Sequence, residues 1–360
     1  MSVLLTGMTP TQCGSKHQRN HIFGNTDAVR VGLEALGLKV SQTNPKRMRS
    51  VDEYELIIAG IYGPMTMVAS YAFDLARLLT MAFEANKPVL LFVDDWHLAP
   101  VRLQTRRLYE SMEQYDKRAR FKYAGDPDLL EFMLNPEVKA KNMHAFAAML
   151  ELRHPIAGLI MPVFAWHMRH DTEVRLAQQI GMPLDRIFFV DPSNMLNDAN
   201  PFTVDIPVEK ERAWVLAGLY DQSAWAQSLK IRWPLTCYGH RRSGLQVLPE
   251  IALIKEVYAN VWGVLSYPYP SKNVGWWRNR YQFAAKAGCV LYADNMEAPP
   301  DPSYSMSLFE IEALSSAHLA DLAARQAAAL RNLSWSRDKY LQALQLAVAT
   351  AMRSGGAVRA

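Results

Sequence analysis

The stretch Ile254–Asn295 reads IKEVYANVWGVLSYPYPSKNVGWWRNRYQFAAKAGCVLYADN, and the fold is predicted from it. It opens with an apolar strand at Val261–Leu265 and continues through a proline-broken aromatic loop. A helical stretch then runs from Gly275 to Gly288, and a second apolar strand at Cys289–Ala293 follows at once. Strand, loop, helix, glycine stop and strand in this order indicate one right-handed βαβ unit.

Cations and aromatic side chains crowd the start of this helix. Because a helix N-terminus favours anions, Arg278 and Arg280 predict a site for a nucleotide diphosphate. Tyr267, Tyr269, Trp276 and Trp277 are candidates to stack on a nucleobase or a sugar face. The alternative is that these aromatic side chains belong to the core. Adjacent helix positions point in different directions, which leaves one of the two tryptophans available for a ligand.

Length and composition bound the class of protein. The chain has 360 residues, 50% of them hydrophobic, which is enough for two domains with sizeable cores. No apolar run is long enough to cross a membrane, and the start of the chain lacks the basic region of a signal peptide. Cys13, Cys237 and Cys289 are widely spaced and form no CxxC pair, so we expect neither disulfides nor a zinc site, and a cytoplasmic location.

Apolar strands alternate with helices along most of the chain. The predicted strands are 3–5, 38–40, 55–59, 89–93, 157–162, 186–190, 214–219, 235–238, 261–265 and 290–293, and the predicted helices include 26–36, 67–85 and a helical tail over 308–352. This alternation indicates parallel sheets covered on both faces.

The sequence therefore predicts an α/β protein with two Rossmann-like, doubly wound parallel-sheet domains that face each other across a cleft. The polar region around 169–183 is the best boundary between them. We expect an N-terminal domain over 1–168, a C-terminal domain over 169–340, and a last helix over 341–360 that packs back on the N-terminal domain. Ligands of open α/β sheets bind at the carboxyl ends of the strands, so we expect the site in the cleft.

The loop after the first strand, Thr6–Asn25, is long for a strand-to-helix connection, and loops of this length are usually functional. It carries Gly14, Ser15, His17 and His21. It lacks both the GxGxxG fingerprint and the Walker A spacing, which argues against a nicotinamide-dependent oxidoreductase and a P-loop enzyme. The alternative is a long surface loop with ordinary turn residues.

The segment FVDDWH, Phe92–His97, places two carboxylates and a histidine at the end of a strand. Neighbouring carboxylates push each other's pKa values apart, which suits a general base. Asp95, at the strand tip, is the preferred base and Asp94 the second candidate, with His17 or His21 in reserve. Capping of the next helix by either aspartate is the alternative. The segment lacks a DxD spacing, so we expect no obligatory metal.

The segment YGHRRSG follows another strand end and offers a second phosphate site. Gly239 permits close approach of the backbone, His240 follows it, and Arg241 and Arg242 can grip a phosphate in bidentate fashion. The alternative is a plain glycine turn with surface arginines.

Several charged residues outside these segments carry weaker signals. Two basic clusters in the first half favour a polyanionic partner, although each alone is typical of a solvated surface: Arg102, Arg106, Arg107, Lys117, Arg118, Arg120 and Lys122, and Lys46, Arg47 and Arg49. Asp191 and Ser193 either line the cleft or form a capped turn. Glu310 and Glu312 are interpreted as a capping box or a solvated helix face.

The whole layout resembles the GT-B glycosyltransferases. Residues Gly275–Asp294, GWWRNRYQFAAKAGCVLYAD, are similar to the donor-site helix of that superfamily, which typically shows an EALA-G-PVV pattern. Gly275 and Phe283 stand near the two glutamates of that pattern, so the chain departs from the common retaining families there. The chain also resembles the bacteriophage DNA-base glycosyltransferases, in the pattern of Gly239, Arg241 and Arg242 and in a carboxylate at a strand end of the first domain.

The resemblance implies transfer of a sugar from a nucleotide sugar, with a UDP-sugar expected, to a hydroxymethylated pyrimidine in phage DNA. It implies a monomer without a membrane partner, with the basic clusters on DNA and the target base flipped out of a duplex. Two alternatives remain open: a glycosyltransferase acting on a small molecule or glycan, and a non-catalytic nucleic-acid-binding α/β protein.

Overall fold

The fold is taken from a computed structural model, which describes residues 1–6, 25–43, 48–62, 69–94, 115–122, 124–125, 127–150, 156–163, 165, 174, 183–195, 202–218, 220–239, 245–267, 279–293, 299 and 301–356. Within these ranges the chain forms two parallel sheets. Continuous apolar strands account for this arrangement, because parallel strands are buried on both faces.

The first sheet has six strands in the order β2-β1-β3-β4-β5-β6, and every pairing in it is parallel. Its strands are β1 (Ser2–Thr6), β2 (Lys39–Thr43), β3 (Leu56–Tyr62), β4 (Val89–Asp94), β5 (Ile156–Pro162) and β6 (Ile187–Val190). The helices between them are α1 (Asn25–Ala35), α2 (Ala69–Glu84), α3 (Tyr115–Lys122), α4 (Pro127–Leu134) and α5 (Pro136–Leu150).

The second sheet has four parallel strands in the order β10-β9-β7-β8. Its strands are β7 (Glu211–Gly218), β8 (Leu235–Gly239), β9 (Val261–Ser266) and β10 (Val290–Ala293). The helices that follow β6 are α6 (Tyr220–Ser228), α7 (Asn279–Lys286), α8 (Leu308–Glu312), α9 (Ser316–Leu333) and α10 (Arg337–Gly356). A further helical segment precedes β9 and includes a π-helical turn over Leu253–Val257.

All ten predicted strands are confirmed, and the parallel pairing of β9 with β10 across α7 confirms the βαβ unit from which the fold was predicted. Gly288 ends α7 in the left-handed region, with φ at 61°, as expected of a glycine just beyond a helix. The predicted helix start at Gly275 lies outside the described residues. Within the described residues, α7 begins at Asn279.

The strand order predicts one ligand crevice in each sheet, at the carboxyl ends of the strands. In the first sheet β1 lies between β2 and β3, so the chain winds to both sides of β1. In the second sheet β7 has β8 on one side and β9 on the other. Loops that leave the carboxyl ends of such strands diverge and open a ligand crevice. The candidate crevices therefore lie between the ends of β1 and β3, and of β7 and β9.

The helical tail consists of three helices, α8 to α10, and the last of them packs on the first sheet instead of the second sheet that precedes it. Helix α10 lies against α1, β5 and β6 of the first sheet. Tyr340, Leu344 and Ala347 are buried in this contact. Gly32 of α1 permits it, because a Cβ there would lie 2.8 Å from Leu344 Cδ2 and 2.9 Å from Tyr340 Cε1.

The close contact between Gly263 of β9 and the indole of Trp214 in β7 gives a stability prediction. A Cβ on Gly263 would lie 2.3 Å from Trp214 Cε3, and the Trp214 side chain is fully buried. Because the indole has no room to move, we expect Gly263→Ala to lower the free energy of unfolding by about 1–3 kcal/mol. Denaturant unfolding measures it. The matched control is Gly125→Ala, whose Cβ would meet nothing within 4 Å, and equal losses in both variants would contradict the prediction.

Candidate functional site

The carboxyl ends of the second sheet meet at one edge, because the strands are in register. Gly218 of β7 lies opposite Gly239 of β8, and Ser266 of β9 lies opposite Ala293 of β10. Gly218 and Gly239 lie at neighbouring strand ends and have no side chain, so a ligand can approach the backbone closely there. The strand order predicts a ligand crevice at this edge, between β7 and β9.

Arg280 is the predicted phosphate-binding residue that the structure describes best. It lies in the first turn of α7, and its Nη2 donates a hydrogen bond to the carbonyl oxygen of Ala217, one residue before the end of β7. The side chain is half-buried. A guanidinium carries five N–H donors, so this bond fixes its position and leaves donors for an anion. The structure thus brings Arg280 to the β7–β9 crevice.

Tyr267 also lies at this crevice, directly after β9. Its ring meets the indole of Trp225 from α6 at a centroid distance of 5.3 Å and an interplanar angle of 89°. Trp225 was missed from the sequence, because one tryptophan among the polar residues of α6 gives no pattern. Gly239 is the last residue of β8, and its backbone N–H donates a hydrogen bond to the carbonyl of Gln246 at 3.0 Å.

Most of the other predicted site residues lie outside the described residues. They are Gly14, Ser15, His17, His21, Asp95, His97, His240, Arg241, Arg242, Tyr269, Gly275, Trp276, Trp277 and Arg278. Their roles stay predictions. The strands that lead into them are described, so β1 precedes the histidine loop, β4 precedes Asp95 and β8 precedes the paired arginines.

The edge of the first sheet is formed by the carboxyl ends of its strands. Asp94, the last residue of β4, lies opposite Tyr62 of β3 in register. Thr6, at the end of β1, is fully buried and donates its hydroxyl to the carbonyl of Thr43 at 2.7 Å. Asp95 follows Asp94 in the chain. It therefore comes directly after β4, the strand that pairs with β3, and β3 borders the candidate β1–β3 crevice.

Asp191 forms a capped turn and does not line a cleft. Its carboxylate is fully buried and accepts hydrogen bonds from the backbone N–H groups of Ser193 at 2.9 Å, Ala165 at 3.0 Å and Trp335 at 3.4 Å. The Ser193 hydroxyl also donates to it. Burial raises the pKa of Asp191, while these donors oppose the shift. Asn194 Nδ2 donates to the Trp335 carbonyl at 2.9 Å, so two distant segments are joined here.

The interpretation of Glu312 as a solvated residue is wrong, whereas the capping box at Glu310 is confirmed. Glu310 and Ser307 bond reciprocally at the start of α8. Glu312 is 7% exposed and accepts from Trp214 Nε1 at 2.8 Å and from the backbone N–H of Trp233 at 3.1 Å. In SLFEIEAL each glutamate is flanked by apolar residues, so the sequence gives no reason to treat Glu310 and Glu312 differently. Only the tertiary packing shows that Glu312 is buried.

Lys210, which the sequence did not single out, caps the far end of α7. Its Nζ donates to the carbonyls of Ala287 at 2.6 Å and Gly288 at 2.9 Å, and to that of Val261 at 3.3 Å. Burial lowers the pKa of this amine. Since a cation at a helix C-terminus is stabilising, Lys210 fixes one end of α7 while Arg280 fixes the other.

No family model matches the chain, and no curated protein matches it by sequence. A search of solved structures does find similar folds. The crystal structure of the DNA-modifying enzyme β-glucosyltransferase, determined in the presence and absence of its substrate uridine diphosphoglucose, aligns over 98% of this chain and 99% of that chain. The TM-score is 0.55 and the sequence identity 10%.

This likeness shows the fold: two parallel-sheet α/β domains in the GT-B arrangement, as the sequence predicted. The crystal structure of UDP-glucose:anthocyanidin 3-O-glucosyltransferase in complex with UDP aligns over 99% of both chains at 10% identity. Its TM-score is 0.34, so that second likeness carries no argument. In the part of the chain that the structure describes, no helix is long and apolar enough to cross a membrane.

Proposed function

We propose that the protein is a glycosyltransferase that moves a sugar from a nucleotide sugar, a UDP-sugar, to an acceptor hydroxyl. The position of Arg280 carries the proposal: its guanidinium is held on the end of β7, at the crevice where open α/β sheets bind their ligands. The full-length likeness to an enzyme whose substrate is uridine diphosphoglucose supports the same donor. The donor then occupies the half of the protein that carries the second sheet, β7 to β10, and the acceptor the half that carries the first sheet, β1 to β6.

Four arginines neutralise the leaving diphosphate in this proposal. The bond to Ala217 places Arg280. Arg241, Arg242 and Arg278 are assigned the same role from the sequence, since the first two follow β8 and the third precedes α7. Preorganised cations act where negative charge develops on the leaving group, which is an electrostatic contribution to the rate. The DDWH segment lacks the metal-binding DxD spacing, so the arginines replace a divalent ion here.

A thermal-shift screen against UDP, GDP, ADP and their common sugars, with NAD as the control, tests this function. A ligand that binds only the folded protein raises its melting temperature with concentration. We expect a concentration-dependent rise with UDP and its sugars. If no nucleoside diphosphate raises the melting temperature, the protein is not a glycosyltransferase of this kind.

Arg241→Ala is expected to weaken UDP binding by about 1.5–3 kcal/mol, the range for a hydrogen bond to a charged group. Isothermal titration with UDP measures the loss. Arg331→Ala, an exposed arginine on α9, is the control and should leave the affinity unchanged. Equal UDP affinity in Arg241→Ala and the wild type would remove Arg241 from the donor site.

We propose a hydroxymethylated pyrimidine in DNA as the acceptor. The fold is similar to that of an enzyme described as DNA-modifying, and Lys117 and Arg120 of α3 are exposed cations within the larger basic cluster. Contacts to phosphates release counterions, so DNA retention should fall steeply as salt rises. Retention of hydroxymethylated DNA at low salt supports this acceptor. Absence of retention, together with UDP binding, favours a small-molecule or glycan acceptor.

The proposed setting is a monomer in the cytoplasm, where both nucleotide sugars and DNA are accessible. If the protein retains DNA but no nucleoside diphosphate raises its melting temperature, it is instead a non-catalytic nucleic-acid-binding protein. The screen and the retention assay together therefore separate the three functions that the sequence left open.

A further inference from the structure

We infer that Asn194 is a positioning residue for the proposed transfer: together with Asp191 it fixes the orientation of the donor half of the protein relative to the acceptor half. The inference rests on the proposed function, which assigns the two substrates to different sheets. The chain passes between the two halves twice, once from the end of β6 to the start of β7 and once from α9 to α10. The two passages are bonded to each other at Trp335.

Both backbone polar groups of Trp335 are held by side chains of the other passage. Its N–H donates to the Asp191 carboxylate at 3.4 Å, and its carbonyl accepts from Asn194 Nδ2 at 2.9 Å. Trp335 lies between the end of α9 and the start of α10, where backbone groups lack partners within a helix. Two bonds to one residue fix the direction of the chain as well as its position. The bond from Asn194 has the more favourable length of the two.

The amide of Asn194 is itself held in place by the turn that follows β6. Asp191 caps this turn by accepting from the backbone N–H of Ser193 at 2.9 Å. Ser193 and Met195, the neighbours of Asn194 on each side, are buried, whereas Asn194 is half-buried and reaches Trp335. The turn therefore presents the amide in one direction, and the passage from α9 to α10 is bonded to the end of the first sheet.

The packing of α9 and α10 relates this junction to the two proposed substrates. Helix α9 packs on α7 and β10 of the second sheet, and α7 carries Arg280, the proposed donor residue. Helix α10 packs on α1, β5 and β6 of the first sheet. Within the described ranges, the principal contacts of the other helices and strands also join elements of one half. A displacement of Trp335 therefore moves the donor relative to the acceptor, and a misplacement of about 1 Å can cost about 100-fold in rate.

The first test measures the orientation of the two halves without any ligand. Spin labels on keto amino acids at exposed Ala35 of α1 and exposed Ala324 of α9 report one distance between the halves by pulsed electron paramagnetic resonance. We expect Asn194→Ala to broaden or shift the distance distribution. Asn142→Ala is the matched control, because it removes an amide that bonds Thr80 at 2.9 Å within the first half. It should leave the distribution unchanged. Wild-type distances in Asn194→Ala would overturn the inference.

The second test compares the rate of transfer with donor binding. We expect Asn194→Ala to lower the kcat for sugar transfer to hydroxymethylated DNA by up to about 100-fold, while the Kd for UDP stays at the wild-type value. Asn194→Gln keeps an amide donor on a longer side chain and should recover part of the rate. Asn142→Ala should lower the melting temperature but keep the wild-type kcat. A parallel loss of kcat and UDP affinity in Asn194→Ala would assign it a general structural role and overturn the inference.

The two tests separate this inference from the function on which it rests. If the wild type transfers sugar and Asn194→Ala transfers it equally fast, only the inference fails. If the wild type neither binds a nucleoside diphosphate nor transfers sugar, the proposed function fails, and the role of Asn194 in transfer fails with it. The label distances then still decide whether Asn194 sets the orientation of the two halves.

Discussion

Asp95→Asn is expected to reduce sugar transfer by about 10²- to 10⁴-fold, the usual contribution of a general base. Asp95 directly follows Asp94, the last residue of β4, which lies at the carboxyl edge of the first sheet beside β3. Asparagine keeps the size and the hydrogen-bonding capacity of the side chain but cannot take the proton of the acceptor hydroxyl. The rate should therefore fall while the affinity for UDP stays at the wild-type value.

Two readouts decide the role of Asp95: transfer of labelled sugar from the UDP-sugar to hydroxymethylated DNA, and calorimetric titration with UDP. Asp94→Asn is the matched control, because successive strand residues point to opposite faces and only one of the two carboxylates can face the acceptor. Full turnover in Asp95→Asn would show that Asp95 is only a helix cap. If Asp94→Asn alone loses activity, Asp94 is the base, and if neither loses it, His17→Ala is the next variant to assay.

Asp191→Ala is expected to lower the free energy of unfolding by about 2–4 kcal/mol, because it leaves several buried donors without an acceptor. Those donors come from three separate parts of the chain: Ala165, Ser193 and Trp335. Asp301→Ala is the control. Asp301 caps a short helix by accepting from Ser303 N–H at 2.8 Å, but it is partly exposed, so water can replace its carboxylate. Denaturant unfolding should show a smaller loss for Asp301→Ala, and equal losses would contradict the prediction.

The same carboxylate predicts a pH dependence of stability. Burial raises the pKa of Asp191 in the folded protein above its value in the unfolded chain. Between the two values the folded state binds the proton more tightly, so this residue's contribution to the free energy of unfolding grows as the pH falls through the folded pKa. That contribution is complete below the unfolded pKa, about 3.9. Unfolding curves of the wild type and of Asp191→Asn, which does not titrate, should diverge across this window, and parallel curves would show that Asp191 does not titrate with the raised pKa.

The strands and the parallel sheets were predictable because their signal is local. Runs such as Val89–Val93 and Val261–Leu265 are apolar throughout, and a run of that length bounded by turn residues reads as a strand buried on both faces. The ends of the strands then fixed the edge at which a site must lie. The placement of Gly239, Tyr267 and Arg280 at the carboxyl edge of the second sheet follows from strand order alone.

What the sequence could not predict depends on contacts between distant residues. Glu312 and Lys210 look like ordinary surface charges, yet both are buried and bonded to backbone groups many residues away. Trp225 carries no pattern in its own helix, and it meets Tyr267 only because α6 and the end of β9 come together. Asp191 allowed two interpretations, and the backbone N–H groups of Ala165 and Trp335 decide between them.

The return of α10 to the first sheet has a consequence for biosynthesis. The ribosome releases this helix after every strand of both sheets, yet its residues Tyr340, Leu344 and Ala347 complete the core around α1, β5 and β6. The first sheet is therefore completed after the second sheet, which has its strands and covering helices α6 to α9 before α10 emerges. Nascent chains usually fold from the N-terminal end. Here a stop codon introduced between α9 and α10 would leave the second sheet whole and strip a helix from the first.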